Sequence, residues 1–157
     1  AALIGRRIGL CWASNPEDPS LYNRKSIPLR TVLTGLQRTE HDHLISLQKG
    51  EASTRDNCRS AFAAELPESA DWEETAHWIL ACDVVVSVDT AVAHLAGALG
   101  VPVLVLLPWV ADWRWHYGAQ GSRWYPQCIT VRQHSLGDWD SVIKQLNVHL
   151  DSSFAIR

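Results

Sequence analysis

The sequence predicts an α/β fold, a Rossmann-like doubly wound parallel sheet, and three observations carry that prediction. Two runs, Asp83–Val88 and Pro102–Leu107, are almost unbroken aliphatic and β-branched residues, as strands buried on both faces require. The segments between the apolar runs repeat their apolar residues at helical spacing. Strand and helix alternate from end to end, the pattern of a parallel sheet covered by helices on both sides.

The elements follow in order. Arg7-Ile8-Gly9-Leu10-Cys11-Trp12 reads as the first buried strand. Ala13 to Ser26, rich in Ser, Asn, Pro and charge, reads as a long loop. Pro28 suits the first turn of a helix, and Leu29, Val32, Leu33 and Leu36 follow at helical spacing. His43 to Leu47 is a second strand, ended by Gln48-Lys49-Gly50, and a polar helix is expected from about Thr54 to Glu65. Asp71 is an N-cap candidate with Glu74 three residues on, and the helix behind it turns Thr75, Trp78 and Ile79 inward. The strand Asp83–Val88 feeds a helix over Ala91–Leu99 that Gly100 ends. After Pro102–Leu107 comes a long aromatic loop, Pro108 to Pro126. Ile129–Val131 makes a last strand. Gly137-Asp138 starts a final helix with Val142, Ile143, Leu146 and Leu150 on one face.

Size and composition narrow the partners. The 157 residues suit one domain, and 46% hydrophobic and 20% charged residues are ordinary globular usage. A net charge of −3 argues against nucleic acid or an anionic membrane as the main partner. The longest apolar stretch, Val101–Val110, is too short to span a bilayer and holds two prolines. Cys11, Cys58, Cys82 and Cys128 form no Cys-x-x-Cys pair, so reduced thiols in a cytoplasmic protein are the simplest reading. No signal-peptide pattern is present. The chain enters a strand almost at once, which reads as a single domain, residues 1–157, cut from a longer protein.

In a parallel sheet, ligands bind beyond the carboxyl ends of the strands. The loops at Ser14–Ser26, Gln48–Thr54, Asp89–His94 and Pro108–Trp115 all follow strands and are expected to gather at one edge. The most informative is Ser87-Val88-Asp89-Thr90-Ala91-Val92-Ala93-His94. A helix that starts there offers unpaired N–H groups and a positive dipole end, a ready site for a diphosphate. Thr90 adds a hydroxyl, His94 lies one turn in, and the Asp89 carboxylate suits sugar hydroxyls. The same Asp-Thr pair is also an ordinary helix cap. Asp138-Trp139-Asp140 reads as a helix start and His41-Asp42-His43 as a loop before a strand, so no metal site is assigned. The absence of Gly-x-Gly-x-x-Gly after the first strand disfavours a dehydrogenase. No Gly-x-Ser-x-Gly elbow marks a hydrolase.

Ser87 to Gly100, with Val101-Pro102-Val103 behind it, resembles the donor-site strand-helix-strand of the ADP-heptose glycosyltransferase family. It resembles still more the related bacterial enzymes that carry tetratricopeptide repeats ahead of the transferase domain. Gly9–Pro16, Arg24–Leu29, Ser46–Gly50, Asp112–Trp115, Trp124-Tyr125-Pro126 and Gly137-Asp138-Trp139 agree with that group in order and spacing. The resemblance implies one half of a GT-B fold: the nucleotide-sugar-binding domain, its amino-terminal acceptor domain absent here. It implies a metal-independent, inverting glycosyltransferase with a UDP- or ADP-linked sugar as co-substrate and no other cofactor. It places Asp89 on the sugar, Thr90, Ala91 and His94 on the diphosphate, and Lys25 on the phosphates. Gln48 and Lys49, at the end of the second strand, join the nucleotide site. Ser14, Asn15, Arg24, Asp112 and Arg114 stand as further contacts. Trp113, Trp115 and Trp124 either stack on a sugar, pack their loop down or meet the missing domain. Trp72, Trp78 and Trp139 are expected in the core or against that domain. The catalytic base belongs to the absent domain. The family often has Gly where this chain has Ala91, which leaves the sugar open. The competing reading is a non-catalytic nucleotide-binding or protein-interaction module derived from such an enzyme.

Overall fold

The computed structural model describes residues 5–55, 59–116 and 121–153. Six strands, β1 (Arg6–Cys11), β2 (Asp42–Ser46), β3 (Ala64–Glu65), β4 (Val84–Val88), β5 (Val103–Leu107) and β6 (Cys128–Arg132), form one sheet in the order β3-β2-β1-β4-β5-β6. All five neighbouring pairs are parallel. The direction of strand order reverses between β1 and β4, so a crevice opens where the chains leaving those two strands part.

Side chains alternate between the two buried faces of the central strands, and each face takes its own helices. Ile8, Leu10, Val84, Val86, Val88, Leu104 and Leu106 pack with α2 (Leu29–Gly35) and α6 (Trp139–Ser153). Cys11, Val85, Val103, Val105 and Leu107 pack with α4 (Trp72–Leu80) and α5 (Ala91–Ala98). Val142, Leu146 and Leu150 on α6 have no exposed surface, which is the face their spacing predicts. Burying that many aliphatic side chains, each worth about 1.5–3 kcal/mol, is what holds the two helix layers to the sheet.

Local chemistry sets the element ends. The Asp71 carboxylate accepts the N–H of Glu74 at 2.8 Å and caps α4. Gly100 takes φ +73° directly after α5, a left-handed turn that glycine adopts without strain. Arg6 makes a buried two-pronged contact with Asp42 at 2.8 and 3.0 Å and also donates to the Leu150 carbonyl, tying β1, β2 and the end of α6 together.

Two elements differ from the sequence reading. The segment read as loop between Ala13 and Ser26 contains α1 (Pro19–Lys25). Asp18 caps it through the N–H groups of Ser20 and Leu21, and Pro19 occupies its first position, so capping chemistry outweighs the low apolar content. The expected polar helix over 54–65 is replaced by α3 (Ala52–Arg55), a 3-10 turn (Arg59–Ala61) and the edge strand β3. β3 pairs with Ile45 and Ser46, and on either side of it the Ala63 and Leu66 N–H groups donate to the Leu44 and Ser46 carbonyls. Cys58 lies outside the described residues, while Cys11, Cys82 and Cys128 are buried free thiols. Among the described residues no helix is long and apolar enough to cross a membrane.

Candidate functional site

The loops that leave β1, β2, β4 and β5 meet at the carboxyl edge of the sheet, as parallel strands require. Gln48 holds the first two together. Its Oε1 accepts the N–H groups of Trp12 and Ala13 at 3.1 and 2.9 Å, and its Nε2 donates to the Ala13 and Lys49 carbonyls. Ser26 accepts the Ser14 N–H at 3.0 Å and the Ile27 N–H reaches the Trp12 carbonyl, which closes the loop around α1. That closure swings Lys25, in the last turn of α1, across the switch point toward β4.

Lys25 Nζ donates to Asp89 Oδ2 at 2.6 Å, and both side chains are largely buried. On its other side Asp89 Oδ1 lies 3.8 Å from His94 Nε2. The His94 ring stacks on Trp115 at 4.9 Å and shares a 3.0 Å hydrogen bond between Nδ1 and the Tyr125 hydroxyl. Asp112 completes the charged group. Burial works against its ionisation, but the Arg114 N–H and guanidinium, and beyond them the Lys25 ammonium, hold its carboxyl below the usual range. Arg114 itself is exposed, its guanidinium paired with Asp112 at 2.8 Å and lying over the Trp113 ring.

Thr90 is the N-cap of α5 but makes no side-chain cap bond. Its hydroxyl instead meets Ser87 Oγ at 3.1 Å and Cys11 Sγ at 3.7 Å. The first acceptor bonds of α5 run from Ala93 and His94 to the Thr90 carbonyl, so the N–H groups of Ala91 and Val92 precede the intrahelical ladder. Both residues help to line a cavity of about 480 Å³, together with Ser14, Lys49, Leu66, Trp72 and Thr90. The Ser14 hydroxyl is buried there without a partner among the described residues. Lys49 donates to the Ala70 carbonyl across the cavity, and Glu68 accepts the Gly50 N–H. Among the described residues no three His, Cys, Asp or Glu side chains stand close enough to hold a metal ion.

The structure thus brings together Lys25, Asp89, Thr90, Ala91, His94 and Asp112, with Ser14, Asn15, Gln48 and Lys49 on the adjoining cavity wall. Both ends of the Gln48 amide are engaged with backbone, and the Cys11 thiol also lies 3.5 Å from its oxygen. Asn15 is exposed and bonded to Glu17. Arg24 is exposed on α1, on the side of Asp18. The tryptophans divide: Trp115 has no exposed surface and packs its loop down, whereas Trp113 and Trp124 face outward. Trp72 is 62% exposed at the cavity mouth, outside the core that the sequence expectation allowed it. Sequence reasoning assigned no role to Tyr125. Its only signals are its place in Trp124-Tyr125-Pro126 and a glycine at position 97, over which its ring lies.

Comparison with known proteins places this geometry. Residues 36–107, from the end of α2 through β5, match the model of glycosyltransferase family 9 (heptosyltransferase). That span holds Gln48, Lys49 and the whole Asp89–His94 turn. A search of curated proteins by sequence finds no match. Among solved structures, the E. coli heptosyltransferase WaaC with ADP superposes with a TM-score of 0.71 at 19% identity, over 97% of this chain and 46% of that one. The chain therefore spans about half the length of that relative. It is similar to glycosyltransferase family 9 (heptosyltransferase) in sequence pattern across residues 36–107, and to one half of a GT-B-type heptosyltransferase in fold.

Proposed function

We propose that this chain is the donor-binding domain of an inverting, metal-independent glycosyltransferase that takes a nucleoside diphosphate sugar. The observation that carries the reading is the convergence of Lys25, Asp89 and the open start of α5 at the β1/β4 switch point, beside a cavity large enough for a nucleoside. In this reading the nucleoside lies in the cavity and the diphosphate spans the Ala91 and Val92 N–H groups. Lys25 bridges diphosphate and Asp89, and Asp89 accepts hydroxyls of the sugar.

The reaction follows from that placement. An acceptor oxygen attacks the anomeric carbon, the bond from that carbon to the β-phosphate oxygen breaks, and its electron pair leaves with the diphosphate. The acceptor proton passes to a base outside this chain. The helix dipole, the Lys25 ammonium and a donor from His94 stabilise the charge that grows on the leaving group. The relative with the matching fold was solved with ADP, which supports a nucleoside-diphosphate-linked donor. The acceptor and its base belong to the other half of such an enzyme, so this chain alone is expected to bind donor and not to transfer it.

Calorimetric titration with UDP, ADP and GDP in the presence of a chelator tests the reading. One nucleotide is expected to bind, and His94→Ala to weaken it about tenfold, the worth of one charge-assisted hydrogen bond. Binding that needs added magnesium would remove the metal-independent part. A folded chain that binds none of the three favours the interaction-module reading.

A further inference from the structure

We propose that Tyr125 is a positioning residue of the donor site, acting through His94: its hydroxyl donates to Nδ1 and thereby presents Nε2–H as the donor that meets the leaving diphosphate. The proposal rests on the donor-site reading above.

A neutral imidazole carries one N–H and one lone pair, and its neighbours decide which nitrogen has which. Among the described residues, the hydrogen-bond partner of His94 Nδ1 is the Tyr125 hydroxyl at 3.0 Å, which can either donate or accept. The Nε2 side faces Asp89 Oδ1 at 3.8 Å. Asp89 is paired with Lys25 and acts as an acceptor. A lone pair on Nε2 would point at that carboxylate and be repelled, whereas an N–H would be attracted. The two neighbours therefore agree on one tautomer: Tyr125 O–H donates to Nδ1, and Nε2 keeps its proton.

Orientation is fixed as well. Trp115, fully buried, stacks on the imidazole with 26° between the planes, and the Tyr125 ring meets it edge-on at 5.8 Å. Tyr125 is itself anchored, since the Cys128 N–H at the start of β6 donates to its carbonyl at 3.1 Å. Its ring lies on α5 where Gly97 offers no side chain; a Cβ there would stand 2.7 and 2.8 Å from Cδ2 and Cδ1. His94 alone has two rotatable bonds. With Trp115 against its face and Tyr125 on Nδ1 it has one pose, and that pose turns Nε2 toward the Lys25–Asp89 pair.

The test has two arms. In the first, ¹⁵N spectra of the histidine-labelled chain are recorded without ligand at mildly alkaline pH, where free imidazole is neutral. His94, identified by its loss in His94→Ala, is expected to show a protonated Nε2 and an unprotonated, hydrogen-bonded Nδ1. Tyr125→Phe, which keeps the ring over Gly97, is expected to move the Nδ1 resonance toward that of an unbonded imidazole nitrogen. A protonated Nδ1, or an Nδ1 resonance that Tyr125→Phe leaves in place, overturns the proposal. In the second arm the nucleoside diphosphate that binds is titrated into a double-mutant cycle. Tyr125→Phe is expected to weaken binding about fivefold in the parent, the order of one neutral hydrogen bond, and not at all in His94→Ala. Equal losses in both backgrounds mean a merely structural tyrosine and also overturn it. If no nucleotide binds the parent chain, the donor-site reading fails by itself, while the brace on His94 still stands or falls on the spectra.

Discussion

Lys25 Nζ stands 2.6 Å from Asp89 Oδ2, joining the last turn of α1 to the end of β4 across the point where the sheet order reverses. Both side chains are mostly removed from solvent, at 16% and 7% exposure, so each depends on the other for its polar environment. Removing one partner of such a pair strands a buried charge. Lys25→Met is therefore expected to destabilise the chain by about 3 kcal/mol in urea unfolding. Lys25→Met combined with Asp89→Asn is expected to recover most of that loss, because no charge is then left alone. A midpoint that Lys25→Met does not move would mean that water reaches the pair freely.

Gln48 is the second structural tie of the site. Replacing it by Ala leaves the Trp12 and Ala13 N–H groups buried without acceptors. At about 1–3 kcal/mol for each stranded group, Gln48→Ala is expected to cost roughly 2–6 kcal/mol. Gln48→Glu keeps the acceptor but turns the donor aimed at the Ala13 and Lys49 carbonyls into a second acceptor, so it too is expected to destabilise. Thermal melts of the two variants check this. A Gln48→Glu variant as stable as the parent would show that the amide donor contributes nothing.

These ties explain what the sequence could and could not reveal. The central strands were legible because Val84–Val88 and Val103–Leu107 are apolar at every position but Ser87, a pattern only a doubly covered strand needs. The turn Asp89–His94 was legible because a parallel sheet puts every strand-to-helix turn on one edge. The helix α1 was hidden because none of its seven residues is fully buried, so no apolar stripe marks it. The strand β3 was hidden because two paired residues leave no periodicity. Gln48 follows β2 at the carboxyl edge, as its place in the sequence implies, but its engagement with backbone depends on a partner 35 residues away. Tyr125 reaches His94 across 31 residues through a loop whose spacing carries no such information.

Stability is expected to fall at both ends of the pH scale. At the acid end, Asp42 is buried, which alone would raise its pKa, yet its bonds from Arg6 and from the Thr39 N–H outweigh that and hold it below the ordinary 3.8. Asp83 is lowered chiefly by its bond from Arg7. A depressed carboxyl contributes stability that is present above its unfolded value and lost as pH falls through the folded one, so the decline begins near pH 4 and steepens below it. At the alkaline end, burial raises Cys82 to about 11 and Cys128 to about 12, from 9.0. A raised thiol contributes stability that is present below its unfolded value and lost as pH climbs through the folded one, so a second decline runs from about pH 9 to 12. Urea midpoints across pH 2–12 measure both limbs. Cys82→Ala is expected to flatten part of the alkaline limb; an unchanged limb would assign it to other groups.

Gly97 offers a check on the geometry that needs no ligand and no removal of a functional group. It lies on the buried face of α5, where alanine is otherwise the better helix former by about 1 kcal/mol. Propensity alone therefore predicts that Gly97→Ala stabilises the chain. The structure predicts the opposite, because the new methyl would meet the Tyr125 ring carbons at 2.7–2.8 Å, closer than van der Waals contact allows. Tyr125 is held by its carbonyl to Cys128, so its ring can yield only by swinging off α5 and away from His94. Such overpacking costs about 1–3 kcal/mol, more than the helix gains. Gly97→Ala is thus expected to lower the melting temperature and to release the His94 Nδ1 bond, where Tyr125→Phe releases that bond with less cost to the fold. A Gly97→Ala chain more stable than its parent would mean that the Tyr125 ring does not rest on α5, and the close approach of helix, tyrosine and histidine would have to be abandoned.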